Sequence, residues 1–344
     1  MKKVTLIYII IPFMLLLYSY SYYNTMHRDN TNFDEDSIFL YINSSDSIVN
    51  ILDTINKKIK FPKTFLKAAK RMDYIENIKS GRFRVYKGSG NKEIINSLKF
   101  NNTSLTVTFN NQERIQDLAG RISKQISADS LSLLNAFLEK NFLVENGFNN
   151  FNLISMYIPN SYEFFWNVEP KIFRDKMLEE YNNFWNEDRI EKAKSIGLSK
   201  TEVIALASIV QKESVKLDER PVISRVYLNR LKKKMKLQAD PTVIYSIKSY
   251  YNNFDTIIRR VLYRDLKLNS PYNTYKIKGL PPGPISMPDI SSIDAVLNSR
   301  NHNYIFFVAD PYNPGYHLFA SKLSQHNKNK RVYTRWLNSK KIYR

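Results

Sequence analysis

The sequence predicts an α+β protein built from an N-terminal transmembrane helix, a small α+β module and a larger mixed α+β domain. Three observations carry that prediction. The N-terminus holds an almost uncharged stretch, a strand–helix–helix–strand pattern follows it, and the C-terminal half alternates helical periodicity with Pro-, Asn- and Tyr-rich segments. At 344 residues there is room for an anchor and two folded units, taking about 150 residues per domain. An apolar content of 43% is enough for a normal core.

The uncharged stretch runs from Val4 to Tyr23, and twenty helical residues span about 30 Å, the hydrocarbon thickness of a bilayer. Pro12 is tolerated in a membrane helix, and Tyr18, Tyr20, Tyr22 and Tyr23 gather at one end as an interfacial belt would. Cleavage as a signal peptide would need a small-x-small site, and Ser19-Tyr20-Ser21 is a poor one. Residues 1–3 are then a cytoplasmic stub carrying Lys2 and Lys3, residues 4–23 a single-pass inner-membrane helix and residues 24–35 a polar linker. Everything beyond lies on the periplasmic side.

That placement bears on the charge. Fifty-two Lys and Arg against 32 Asp and Glu give +20, which would suit a nucleic acid or an anionic lipid surface. The cations are dispersed, however, and the longest pure run is Lys232-Lys233-Lys234, as expected of a solvated face. Heavy use of Lys, Asn, Ile and Tyr throughout reads as compositional drift, and no nucleic-acid partner is expected outside the membrane. The absence of cysteine excludes disulfides, thiolate metal sites and a Cys nucleophile. The four histidines, His27, His302, His317 and His326, are scattered without metal-ligand spacing, so neither a metal nor a cofactor is expected; His317 alone is a minor site candidate.

Residues 36–98 read as one small module. Ile38 to Ile42 is a β-rich run, Ser47 to Ile59 has helical apolar spacing, Lys79 to Tyr86 turns at Gly81 into a strand, and Gly88 to Gly90 lead to a short helix with Ile94, Ile95 and Leu98. A connecting α+β region, 99–156, offers a strand at Leu105–Phe109 and helices around Ile115–Ile126 and Ser130–Lys140. The domain 157–344 opens with an aromatic segment, Tyr157 to Trp166, that turns at Pro159 and Asn160. Helices dominate from Pro170 to about Lys234, and a hairpin is expected between Tyr304–Ala309 and Tyr316–Ala320.

One helix carries the chemistry. Ser199-Lys200-Thr201-Glu202 is a capping box that fixes its start, and its apolar positions are Val203, Leu206, Ala207, Ile209 and Val210. At 100° per residue Glu213 falls within about 60° of Leu206, Ile209 and Val210, whereas Gln211 points nearly opposite. A carboxylate on the core-facing side is costly unless it is paired or protonated, and desolvation raises its pKa. Such a group suits a glycosidase acid; the bland alternative is a helix-end ion pair with Arg220 or Arg225. Beyond a second helix, Pro221 to about Lys234, three segments are rich in Pro, Asn and Tyr: Met235 to Tyr245, Ser270 to Tyr275 and Gly279 to Ile285. Rigid loops of this composition suit sugar binding, although turn chemistry alone would account for them.

These segments, together with Leu206–Ser214 and Tyr227–Leu231, resemble in their order the signatures of the MltG (YceG-like) endolytic murein transglycosylase family. Tyr304–Ala309, Gly315–Phe319 and Gln325–Asn327 resemble its C-terminal pattern. The resemblance implies a membrane anchor, a LysM-like module at 36–98 and a catalytic domain at 157–344 that needs no cofactor. It also implies that Glu213 is the general acid/base, with Asn229, Gln238, Asp240, Tyr272, Asn273 and Tyr275 as candidates for binding substrate. Gln211 replaces an acidic residue of the family pattern, Ser214 a Thr and Ser246 a Gly; the last puts a local turn in question.

The implied reaction cuts the MurNAc–GlcNAc bond of nascent peptidoglycan glycan strands without water, leaving a 1,6-anhydroMurNAc end, near the inner-membrane bilayer and alongside peptidoglycan synthases. Two other readings compete. One is a muramidase pairing Glu213 with Asp240 as its second carboxylate. The other is a wall-binding scaffold that cuts nothing.

Overall fold

The computed structural model describes residues 2–340, apart from the side chains of residues 2–7. The first helix, α1 (Lys2–Met26), is continuous through Pro12, and its side chains from Tyr8 to Tyr23 are exposed, Leu16 at 69%. Among the described residues no helix is long and apolar enough to cross a membrane. Met1 of the expected stub lies outside the described residues, as do the side chains of 2–7 with which the expected span begins. The far end of α1 belongs to the folded chain. Thr25 and Met26 are buried there, and the helix packs on α3 (Pro62–Arg71).

The chain divides into two compact units built from interleaved stretches. The first takes in 1–107, 123–129 and 162–169. In it β1 (Ser37–Ile42) pairs antiparallel with β2 (Gly81–Tyr86), Ser37 opposite Tyr86 and Ile42 opposite Gly81. Between them come α2 (Ile48–Ile55) and α3, and α4 (Asn91–Phe100) follows β2, so the expected order of elements is present. Alternation along β2 buries Phe83 and Val85, which join Leu40, Ile51, Ile55, Phe65, Ile94 and Leu98 in one core. Ser47 caps α2 in a capping box with Asn50. The helix stops at Ile55 rather than Ile59, because Ile59 is drawn into a bridge with Thr31. Gly81 stands at the head of β2 with φ +152°, and a Cβ there would lie 2.6 Å from Asn102 Oδ1, which accepts from the Arg82 N–H.

The second unit takes in 108–122, 130–161 and 170–344. Strand β3 (Ser104–Phe109) pairs with β4 (Asn160–Phe165), and the larger part of each, 104–107 and 162–165, belongs to the first unit. The helices are α5 (Ile115–Ile122), α6 (Ser130–Phe137), α7 (Lys140–Glu145), α8 (Pro170–Phe184), α9 (Glu187–Ser195), α10 (Lys200–Glu213), α11 (Arg220–Lys232), α12 (Asp240–Tyr250), α13 (Ile290–Leu297) and α14 (Leu323–Ser339). The hairpin forms as β5 (Phe306–Ala309) and β6 (His317–Ala320), Phe306 opposite Ala320, and α14 packs on it. Helix α10 is the hub, packed by α11, α12 and α13.

Two expectations change. The segment Met235 to Tyr245 is a loop only as far as Ala239: α12 begins at Asp240 with Pro241 in its first turn, where a missing N–H leaves no bond unmade and φ is already helical. Ser246 therefore lies inside a helix, buried, with its hydroxyl donating to Thr242 O at 2.7 Å, and no turn exists there to be disturbed.

Candidate active site

Helix α10 starts where the capping box placed it, with the Ser199 N–H donating to Glu202 at 2.8 Å. Every residue from Val203 to Val210 is buried, so the helix is enclosed on all sides rather than amphipathic. Ala205 and Ser208, off the expected apolar stripe, are covered by neighbours, and the Ser208 hydroxyl accepts from the Ile285 N–H at 3.1 Å. Helices α11, α12 and α13 supply most of this enclosure, and the Gly279–Ile285 segment closes it at Ser208 while lying against other backbone. A Cβ on Gly283 would come within 1.9 Å of Phe151 O, so only glycine allows that approach. The segment walls the helix. Gln211 has the same kind of role: its side-chain oxygen accepts from the Asp289 N–H at 2.6 Å, away from Glu213.

Glu213 is the last residue of α10 and half-buried. The hydroxyl of Tyr227, itself buried on α11, donates to Glu213 Oε1 at 2.7 Å. The ion-pair alternatives are not used. Arg220 bonds Asp289 at 3.0 Å and the Ser214 carbonyl at 3.0 Å, and Arg225 Nε is among the buried polar atoms with no partner. Burial pushes the Glu213 carboxyl up to about 7. The Tyr227 hydrogen bond offsets part of that rise, the Asp240 charge adds to it, and the His317 and Arg230 charges oppose it weakly.

A second carboxylate lies near enough for its charge to act on this one. Asp240, at the start of α12, accepts from the Tyr275 hydroxyl at 2.6 Å. Thr274 stitches the two segments together: its carbonyl accepts from the Gln238 N–H at 3.2 Å, and its hydroxyl accepts from the Ala239 N–H at 2.9 Å and meets the Thr242 hydroxyl at 2.8 Å. Gln238 sits exposed with φ +50°, a left-handed conformation that this stitching holds. Arg230 is buried and ties the loop to the hairpin, donating to Leu237 O and Ile305 O at 2.6 Å each; burial pulls its guanidinium pKa down.

Of the candidates read from sequence, the fold gathers Glu213, Asp240 and Tyr275, with Gln238 beside them. Asn229, Tyr272 and Asn273 face elsewhere. The Asn229 amide donates to His302 O and Tyr304 O at 2.8 and 3.0 Å. Asn273, wholly buried, donates to Leu268 O at 2.7 Å and accepts from the Tyr275 N–H at 3.0 Å. Tyr272 packs at a tilt against Tyr245, ring centres 4.6 Å apart, and donates to Phe151 O at 3.2 Å. Sequence reasoning passes over Tyr227, Arg230 and Glu219. A tyrosine at a core-facing helical position carries no sign that its hydroxyl will meet a carboxylate fourteen residues earlier.

A helical domain whose hub helix delivers one carboxyl with a raised pKa, without an ion-pair partner among the described residues, to a cluster of Tyr, Asp and Arg defines a candidate acid/base site. The YceG-like family model matches residues 40–332, and the chain belongs to that family. The endolytic murein transglycosylase of Bacillus subtilis (strain 168) is 37% identical over 164 residues, 48% of this chain and 43% of the relative. That of Streptococcus pneumoniae serotype 2 (strain D39) is 32% identical over 136 residues, 40% of this chain and 24% of the relative. The matches thus span less than half the length of these relatives. The crystal structure of a yceG-like protein from Listeria monocytogenes shares the fold, with a TM-score of 0.55 at 24% identity, covering 86% of this chain and 99% of that one.

Proposed function

We propose that this chain is an endolytic peptidoglycan lytic transglycosylase, cutting the MurNAc–GlcNAc bond of nascent glycan strands with Glu213 as general acid/base. The observation that carries the reading is the state of Glu213: a carboxyl with no cationic partner, raised to about 7 and bound by one phenol. The names of its relatives in Bacillus subtilis and Streptococcus pneumoniae support the same substrate.

The chemistry follows from that state. Tyr227 donates to Oε1, which leaves Oε2 as the oxygen able to carry the proton. Glu213 gives that proton to the glycosidic oxygen as the C1–O bond breaks. The C6 hydroxyl of the same MurNAc attacks C1, closing the 1,6-anhydro ring, and its proton returns to Glu213 over the cycle. Water is not consumed. Asp240, held by Tyr275, contributes negative charge near the developing oxocarbenium ion and adds to the burial that keeps Glu213 protonated. Gln238 and Tyr275 are the binding side chains closest to this chemistry; Asn229, Tyr272 and Asn273 act on substrate through the backbone they brace.

The apolar side chains of α1, exposed all round from Tyr8 to Tyr23, support a single-pass inner-membrane anchor beginning at residue 4, with the rest of the chain in the periplasm close to peptidoglycan synthases. The β1–α2–α3–β2 order supports a LysM-like reading of 36–98. The test is product analysis: full-length protein in detergent is incubated with peptidoglycan and released fragments are weighed by mass spectrometry. Anhydro ends made by the wild type and not by Glu213→Gln are expected. Reducing ends would instead make the chain a muramidase using Asp240, and binding without release would make it a scaffold.

A further inference from the structure

The hairpin residue His317 stands beside this chemistry, and its surroundings are built rather than incidental. Its backbone N–H donates to Glu219 Oε1 at 2.7 Å and its ring Nδ1 meets Glu219 Oε2 at 2.8 Å. Glu219, 4% exposed, also accepts from the Ser214 hydroxyl at 3.2 Å. Ser214 directly follows Glu213. On the other side the His317 ring packs edge-on to Phe307 at 5.1 Å, and Phe307 packs edge-on to Tyr227 at 5.9 Å. The contacts therefore close a ring from Glu213 through Tyr227, Phe307, His317, Glu219 and Ser214 back to Glu213.

A carboxylate on Nδ1 fixes the imidazole tautomer, because that nitrogen must then be the donor and Nε2 the acceptor. Nε2 has no hydrogen-bond partner among the described residues, and the side chain keeps 14% of its surface open. An oriented acceptor nitrogen on the rim of a one-carboxyl site has an evident use. The C6 hydroxyl must lose a proton as its oxygen attacks C1, and where that attack keeps pace with departure of the leaving sugar, Glu213 has not yet become a base.

We propose that His317 is a second catalytic residue, the base that accepts the C6 hydroxyl proton, with Glu219 as its positioning residue. This rests on the transglycosylase reading of Glu213. In the step, the C6 O–H bond breaks and its proton passes to Nε2, while the oxygen lone pair forms the new bond to C1. The C1–O bond to the leaving sugar breaks, and the leaving oxygen takes the Glu213 proton. The site ends with an imidazolium beside a carboxylate, and transfer of the proton from Nε2 to Glu213, direct or through one solvent molecule, restores both.

Chemical rescue of the missing base carries the test, on full-length protein in detergent with kcat and KM read separately from initial rates of anhydro-product release. His317→Gln keeps a donor for Glu219 and is expected to lose about 100-fold in kcat with KM little changed. His317→Ala should recover at least tenfold in kcat on adding imidazole, and Glu219→Gln should lower kcat without gaining from imidazole. A wild-type kcat in His317→Gln, or a folded His317→Ala that imidazole does not help, overturns the role of His317 while anhydro products leave the Glu213 reading standing. Reducing-end products from the wild type overturn both.

Discussion

Glu113 and Glu213 are both half-buried carboxylates of the second unit, and the fold treats them oppositely. Glu113 lies just before α5 and accepts from Lys212 at 3.0 Å and Lys248 at 2.8 Å. Burial would raise its pKa, yet the two ammonium groups outweigh that and hold it below the usual range. Glu213 is given one phenol and no ammonium, and burial wins. Lys212 is the immediate neighbour of Glu213 in the sequence, but one residue is a 100° rotation on a helix, and its ammonium serves the other carboxylate. Proximity in sequence says nothing about pairing, and helix phase decides which acid is silenced and which is left able to hold a proton.

The largest effect is expected from removing the active member of the pair. Glu213→Gln should lower anhydro-product formation by about 10²–10⁴-fold, or about 3–5 kcal/mol in barrier, read from initial rates on purified glycan. A comparable loss from Glu113→Gln, in a protein of unchanged secondary structure, would erase the distinction drawn between them.

The same substitution should strengthen the fold. A carboxyl that titrates at 4.5 when unfolded and at about 7 when folded binds its proton more tightly in the native state, so stability falls as pH rises through that window. Gln removes the dependence. At pH 8 Glu213→Gln should be more stable than wild type by up to about 3 kcal/mol in chemical denaturation, and at pH 4 the difference should vanish. A destabilised variant at pH 8 would mean that the carboxylate is compensated by something other than Tyr227.

Lys248→Met sharpens the comparison from the other side. Glu113 has a lowered folded pKa, so its stabilisation is present above the unfolded value and fades as pH falls through the folded one. Removing one of its two cations, each partly screened by solvent, should cost about 1–3 kcal/mol at pH 7 and little at pH 3. Activity should change far less than stability.

How much of this is legible in the sequence differs by level. The capping box at Ser199, the β-rich run at Ile38–Ile42 and the hairpin around Asp310–Gly315 are readable because each is written in neighbouring residues. The start of α12 is not, since Asp-Pro-Thr reads equally as a turn or as a first helical turn until its partner Thr274 is in place. In the site, Glu213 stands out as a carboxylate on an apolar face. Tyr227, Glu219 and the bracing roles of Asn229 and Asn273 do not, because each depends on a group elsewhere in the chain: Asn229 on the carbonyls at 302 and 304, Glu219 on the amide at 317. An Asn in a rigid loop has the same composition whether its amide meets a sugar or a carbonyl.

The finest distinction between the two acids is the phenol itself. Tyr227→Phe deletes the one hydrogen bond that favours the charged form of Glu213, leaving burial and the Asp240 charge unopposed by it. The expected change is about 1 kcal/mol, so the alkaline limb of kcat/KM should move to higher pH by less than about one unit. The rate at pH 6 should fall only modestly, since the proton is still present and only the choice of oxygen that carries it has been freed. A limb that moved to lower pH would show that the phenol holds the proton on Glu213 rather than competing with it, and Tyr227 would then belong to the proton path instead of its scaffold.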